Sequence, residues 1–340
     1  MSTAFELEEV SRLEALGAGW AACAEASRNV FVTPEWLSLW RAHFAADRPL
    51  QIVACRDNGE LRAVLPLYSS SSGPVKLLRF LGHGHSDELG PVCAPAEREA
   101  AAVALMRTIE SRGSDLFIGD DLLGDFDWAD RLGGRMLERT ESPVARFDGE
   151  SWDDFVGARS TKLRRRLRYY ERSLEPHGLR YRLATDPERL AADLDALFTL
   201  HAARWGESPW FAPARDFHEE FAAIALERGW LRLWFLELDG RAVAGWLGYR
   251  FAGVESHYQS GRDPTWDKAS VGIVLLAHTM REALSDGIEE YRFLRGGEGY
   301  KQRFATDDPG VVTVGRATSA LGHAALAART ARRRVRRLIQ

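Results

Sequence analysis

Cysteine and lysine are the scarce residues of this 340-residue chain: three of the first and four of the second, against forty-one arginines. Cys23, Cys55 and Cys93 are far apart in sequence, with no CxxC pair and no neighbouring histidine pair. That excludes a zinc ribbon and a disulfide framework, and it points to a reducing compartment. Long apolar runs are also missing: no window approaches eighteen uncharged apolar residues, so nothing reads as a membrane span. The opening MSTAFELEEVSRLEAL is acidic and amphipathic, without the basic start and apolar run of an export signal, so a cytoplasmic location is expected. The net charge of −4 favours no class of partner. What remains is ordinary for a globular protein, 45% hydrophobic and 28% charged, with eleven tryptophans available for burial. The length exceeds one compact core and suits two domains, or one domain built twice.

Periodicity supports the second option. Pro34–Phe44 reads as a helix with Trp36 and Trp40 one turn apart. Apolar runs Leu50–Cys55 and Leu61–Tyr68 flank Asp57-Asn58-Gly59, a hairpin signal. A strand at Leu77–Leu81, a helix at Glu97–Ser111 and a strand at Asp115–Ile118 follow. The order then recurs: helices Ala191–Trp205 and Phe217–Leu226, a hairpin Leu231–Leu238 and Ala242–Phe251 around Asp239-Gly240, a strand Val254–Ser260, a helix Gly272–Ser285 and a strand Glu290–Leu294. Trp36 and Trp40 precede Phe217 and Phe221 by 181 positions, and Gly59 and Ala63 precede Gly240 and Ala244 by the same number. The expected fold is α/β with a mixed antiparallel and parallel sheet in each copy, flanked by helices. The strands on either side of each copy's last helix are expected to be parallel, with ends that splay apart to admit a ligand.

Three stretches carry candidate chemistry. LRGGEGYKQRF, Leu294–Phe304, sets three glycines, Glu298, Tyr300 and one of the rare lysines, Lys301, just after a strand. Lys301 suits a phosphate, a carboxylate or a developing oxyanion; Tyr300 suits proton donation to a leaving group; Glu298 suits proton removal. The bland alternative is a solvated glycine turn. Ser270-Val271-Gly272 opens an apolar helix, which is either a simple cap or a cradle for a diphosphate. His257 and Tyr258 precede it on a strand and should face opposite sides, so that one of them lines the cleft, with His257 a candidate base. Asp263 can orient either one, and His201 and Arg204 share one face of a helix. Two regions are strongly basic. Arg159–Arg172 carries seven basic residues with an apolar stripe of Leu163, Leu167, Tyr170 and Leu174; it is either a solvated face or the seat of an anionic acceptor. Arg329–Arg337 holds six arginines in nine residues, either a charge-balancing tail or a peripheral membrane contact.

The second copy resembles the GNAT acyltransferases, in the divergent CelD/BcsL-like branch, which is similar in turn to the tandem-GNAT Fem-type transferases. Ser160–Gly178, Leu200–Trp205, His257–Leu276 and the Leu294–Phe304 stretch carry the likeness, and together the resemblance covers about residues 30–305. Arg292, Gly297 and Val271 depart from the family's usual Asp, Asp and Pro. The resemblance implies tandem GNAT-like domains: a degenerate copy at 1–145, a catalytic copy at 146–315 and a basic tail at 316–340. It implies transfer of an acetyl or other acyl group from acetyl-CoA or another acyl-CoA, without metal, to an amine or hydroxyl of a small-molecule or glycan-type acceptor. It implies catalytic Lys301, Tyr300, Glu298 and His257; cofactor-binding Ser270, Val271, Gly272 and Ile273; and substrate-binding Tyr258, Asp263, Arg295, His201 and Arg204. The alternatives are a Fem-like aminoacyl-tRNA-dependent transferase, the one reading that calls for RNA, and a non-catalytic GNAT-fold binding protein in envelope or polysaccharide synthesis.

Overall fold

The computed structural model describes residues 5–206 and 211–339, with side chains described through residue 331. The chain divides into two compact units, one formed by the residues through Glu141 together with those from Pro309 on, the other by Ser142–Asp308.

The strands, in chain order, are β1 Glu6–Val10, β2 Leu50–Asp57, β3 Glu60–Ser72, β4 Val75–Phe80, β5 Val92–Cys93, β6 Leu116–Leu123, β7 Arg135–Thr140, β8 Val144–Arg146, β9 Arg180–Leu183, β10 Leu231–Leu238, β11 Arg241–Phe251, β12 Val254–Arg262, β13 Glu290–Arg292 and β14 Val311–Ala317. The helices are α1 Gly17–Ser27, α2 Pro34–Phe44, α3 Arg98–Ser111, α4 Trp128–Arg131, α5 Trp152–Arg159, α6 Thr161–Leu174, α7 Leu190–Trp205, α8 Arg215–Glu227, α9 Val271–Ser285 and α10 Ala320–Ile339.

In the first unit the sheet runs β1-β2-β3-β4-β6-β14-β7, with β5 also on β3. Only β4 and β6 pair in parallel among these neighbours. The β2–β3 hairpin turns at Asn58 and Gly59, both in the left-handed region with φ 51° and 80°, which is why an Asn-Gly pair marks it. Trp36 and Trp20 are fully buried, and the alanine-rich face of α3 closes a core with Leu65, Leu67, Phe80 and Phe117. A separate cluster packs Ala325 and Leu326 of α10 on Val75, Leu116 and Ile118.

The second unit has the order β8-β13-β12-β11-β10-β9, again with one parallel pair, β12 with β13. Asp239 and Gly240, at φ 49° and 76°, turn its hairpin as Asn58 and Gly59 turn the first. The buried residues of α9, from Val271 to Ala283, share a core with Trp246, Leu236 and Ala244 of the sheet and with Phe155, Leu163 and Leu167 of α5 and α6. The helix α7 lies directly on β12: a Cβ at Gly261 would meet the His201 amide at 2.2 Å, so only glycine permits this approach.

Two expectations are corrected here. Residues 309–315 were expected to close the second copy and 316–340 to form a tail; instead β14 lies between β6 and β7 of the first unit, and α10 packs on that same unit. Conversely β8, which straddles the boundary expected between residues 145 and 146, pairs with β13 of the second unit. Each sheet is thus completed by a strand from the far side of the chain. The alternation that buries Val311, Val312 and Val314 is local, but its partners lie more than 170 residues earlier. The side chains of most of the Arg329–Arg337 run lie outside the described residues. Among the described residues no helix is long and apolar enough to cross a membrane.

Candidate active site

The parallel ladder between β12 and β13 lasts three pairs, ending at Ser256 and Arg292. Beyond it β13 stops, and Leu294 enters the left-handed region at φ 57°. From His257 onward the edge of β12 is therefore not covered by β13. Within the same strand a bulge inserts Tyr258 between the pairs Gly248–His257 and Leu247–Gln259. A bulge shifts the alternation by one residue. His257, Ser260 and Arg262 consequently line one cavity, whereas Tyr258 turns to the α8 side, where its ring packs near His218 and Tyr249.

That cavity measures about 230 Å³ and is bounded by Arg204 from the end of α7, Trp246 from β11, Ser270, Gly272 and Ile273 at the start of α9, and Tyr300. Ser270 sits at φ 55° and caps α9 through its backbone alone: its carbonyl accepts from the amides of Ile273 and Val274 at 2.9 and 3.1 Å. The amides of Val271 and Gly272 have no backbone acceptor among the described residues, as expected for the first turn of a helix. Val271, backbone included, is fully buried in the core and does not border the cavity, so of these two amides only that of Gly272 lies at the cavity wall. Alongside, the Arg262 side chain passes Gly272, 3.5 Å from where a Cβ would stand, and its Nε donates to Asp267 at 2.5 Å. No acidic residue occupies the first turn of α9.

Arg204 is one of two arginines that border the cavity, with Arg262. Its Nη1 donates to Ser260 Oγ at 3.0 Å, its guanidinium stacks 4.2 Å from the Trp205 ring, and it hydrogen-bonds Tyr300. Burial lowers its pKa, an effect that Tyr300 partly offsets. Burial, reinforced by Glu298, pushes the Tyr300 phenol up to about 12, so it stays protonated at neutral pH. His257 is 6% exposed, and among the described residues its Nδ1 has no hydrogen-bond partner. Burial, then the positive charges of Lys301 and Arg204, hold its imidazole well below the ordinary histidine range. It is a neutral ring at the cavity wall.

Lys301 has a different place from the one the sequence suggests. It is 4% exposed, and Nζ donates to the carbonyls of Arg295 at 2.9 Å and Leu294 at 3.4 Å and pairs with Glu298 at 2.9 Å. Its charge is spent on holding the glycine loop, and neither it nor Glu298 borders the cavity. Because Tyr300 immediately precedes it, the clamp fixes where that phenol stands. Asp263 is likewise structural: its carboxylate accepts from the Thr265 amide and hydroxyl at 2.9 and 2.7 Å, starting the 3₁₀ turn Pro264–Ala269. Arg295 is exposed on the loop and does not border the cavity, and His201 bonds Gln259 on the α7 side of the sheet. Of the residues named from sequence, His257, Ser270, Gly272, Ile273, Arg204 and Tyr300 are brought together. Ser260, Arg262, Trp246 and Asp267 were not anticipated; they reach the cavity through the bulge and the 3₁₀ turn, neither of which leaves a periodic trace in sequence.

The comparison with known proteins agrees with this geometry. Residues 161–302 match the family model described as an acetyltransferase (GNAT) domain. In fold, this segment is GNAT-like. Among solved structures, FemX shares 11% identity with the chain at a TM-score of 0.67, over 92% of this chain and 97% of that one. The L-PGS structure from Bacillus licheniformis shares 14% at 0.58, over 95% and 98%. A tandem GNAT protein from the clavulanic acid biosynthesis pathway shares 11% at 0.51, over 92% and 99%. At these identities the likeness concerns the fold alone, and it spans residues of both units. No curated protein matches the sequence.

Proposed function

We propose that the second unit is an acyltransferase that takes its acyl group from acetyl-CoA or another acyl-CoA and passes it directly to an amine or hydroxyl of a small-molecule or glycan-type acceptor. The observation that carries this reading is the convergence on one cavity of an uncovered strand edge, a helix N-terminus with the Gly272 amide available, and a protonated phenol. The residues fit such a donor. The Gly272 amide, with Arg262 beside it, suits a diphosphate at a helix start that lacks acidic side chains. The β12 edge from His257 on can hydrogen-bond an extended chain as a further strand would.

Tyr300 is the general acid, delivering its proton to the thiolate as the new bond to the acceptor forms and the thioester C–S bond breaks, and the proton lost by the attacking amine or hydroxyl returns the phenolate to phenol. Arg204 holds that phenol and presents its remaining donors to the acceptor. The surrounding positive charge of Arg204, Arg262 and Lys301 disfavours an ammonium, so an amine acceptor is driven to its neutral, nucleophilic form. Lys301 and Glu298 act as positioning residues, a narrower role than the sequence suggested for them. No cysteine borders the cavity, and the three cysteines are buried in the first unit, so direct attack in a ternary complex is favoured over an acyl-enzyme.

The test is thermal shift with acetyl-CoA and longer acyl-CoA species, followed by free-thiol release in an acceptor screen. Stabilisation by CoA species that Arg262→Ala weakens is the expected result. Absence of any shift across the series rejects the donor assignment and favours an aminoacyl or purely binding role.

A further inference from the structure

The α6 face of the second unit carries charge that the fold itself does not use. Leu163, Leu167 and Leu174 anchor the helix in the core. On its outer side Lys162, Arg164, Arg165, Arg168, Tyr169 and Arg172 border an open groove of about 650 Å³. Among the described residues only Arg168 of these cations has an acidic partner, Asp153 at 2.8 Å. Elsewhere arginines are commonly paired, as Arg182 is with Asp193 and Glu237, or Arg146 with Glu290 and Asp307. Gathering unpaired like charges along one helix costs stability and serves no internal contact.

The groove is not built like a small-ligand site. Among the described residues one helix alone lines it, with no buried donor aimed inward and no strand or loop opposite. From Lys162 to Arg172 the cations extend about 15 Å along the helix axis at the α-helical rise, which suits an extended anionic surface. Tyr169 lies among them, 67% exposed. An amphipathic aromatic ring beside four to eight basic residues on an anchored amphipathic helix is the composition that meets anionic headgroups. Single-stranded nucleic acid would call for repeated stacking rings, and the outer face offers only Tyr169 with its half-buried neighbour Tyr170. Because the apolar stripe is already committed to the core, the contact is electrostatic and peripheral, without insertion.

We propose that the outer face of α6 docks the protein on an anionic lipid bilayer. This does not depend on the acyltransfer reading, since no cavity residue takes part.

The experiment is co-sedimentation of the full chain with vesicles of phosphatidylcholine alone and of a two-to-one mixture with phosphatidylglycerol. Binding to the mixed vesicles only is expected, and it should fade between about 0.1 and about 1 M salt as the Debye length falls from about 10 to about 3 Å. Substituting Lys162→Gln, Arg165→Gln and Arg172→Gln together should lower partitioning roughly a hundredfold, about fivefold for each cation removed. All three are exposed, so the melting temperature should hold; if the triple variant misfolds, the single substitutions carry the same test at about fivefold each. Equal binding to neutral vesicles, no binding, or a triple variant that binds like the wild type overturns the proposal, the last by moving the contact to another basic segment. Tighter binding of bulk tRNA than of the mixed vesicles, through the same residues, also overturns it.

Discussion

The two units share a sheet plan and differ at the one place where that plan opens. In the first, the parallel pair β4–β6 runs three pairs from Leu77–Leu116 to Arg79–Ile118, just as β12–β13 runs three pairs in the second. After β4, however, the chain turns at Gly82 and comes back: the Leu89 amide donates to Asp121 at 2.9 Å, and Leu89 bridges Leu122 of β6. The gap is stitched shut by the chain itself. Arg79 fills what is left, with Asp120 at 3.6 Å and a hydrogen bond to the His83 ring at 2.9 Å. The following helix, α3, has Glu99 in its first turn, where an incoming phosphate would be repelled. In the second unit the chain leaves β12 through a 3₁₀ turn, the first turn of α9 carries no acid, and the gap stays open. One topology therefore supports either a sealed, ion-paired end or a binding cavity, and a few residues after the splayed strand decide which.

The sharpest way to break this contrast is Tyr300→Phe. If the open end is catalytic, kcat should fall on the order of a hundredfold or more, the contribution of a positioned general acid, with the melting temperature unchanged. Asp120→Asn in the sealed end should leave turnover alone and lower stability. Equal losses of activity from both changes, measured by free-thiol release, would erase the distinction.

Next comes the clamp. Lys301→Met leaves Glu298 and the carbonyls of Leu294 and Arg295 without their cation. We expect a loss of about 2 kcal/mol by denaturant unfolding, discounted because Glu298 is partly solvated, together with reduced kcat as Tyr300 loses its support. Adding Glu298→Gln should recover part of the stability and little of the activity. Full activity in Lys301→Met would remove the positioning role.

Two glycines give a finer comparison. A Cβ at Gly261 meets the backbone of α7, whereas one at Gly82, at φ 92°, meets the Ser86 hydroxyl at 2.5 Å. Gly261→Ala and Gly82→Ala should each cost about 1–3 kcal/mol. Only the first should also raise the acceptor KM, because it moves the helix that carries Arg204.

The smallest effect concerns acid. Each unit has one histidine pushed to about 4: His83 by burial and Arg79, and His278 by burial and Arg281, with its ring stacked 3.8 Å from Tyr181. Below a pH of about 6.5 the unfolded chain binds these protons and the folded chain does not, so stability is complete above that pH and falls as pH drops towards 4. His278→Gln should flatten the unfolding free energy over that window in the second unit, read by urea titration at several pH values. An unchanged slope would show that other groups govern acid sensitivity.

Much of this was legible beforehand for local reasons. Asn58-Gly59 and Asp239-Gly240 dictate their hairpins because left-handed backbone favours those residues, and the tryptophan and phenylalanine spacing of Pro34–Phe44 and Phe217–Leu226 marks helical faces that must be buried. Tyr300, Arg204 and the start of α9 can be named from sequence, and they meet at one cavity, because motif and helix geometry are written in short windows. Lys301 was misjudged for the complementary reason: a lysine beside glycines looks free, and only the folded loop shows three oxygen partners closing on it.

Sequence alone determined the elements, their repeated order and the residue types available at the cleft, because turn chemistry and periodicity act over a few residues. Tertiary structure alone decided that β14 joins the first sheet and β8 the second, that a bulge turns Ser260 and Arg262 into the cavity, and that one splayed pair is sealed while the other is open. Those outcomes depend on hydrogen-bonded partners far apart in the chain, whose pairing leaves no mark in any local window.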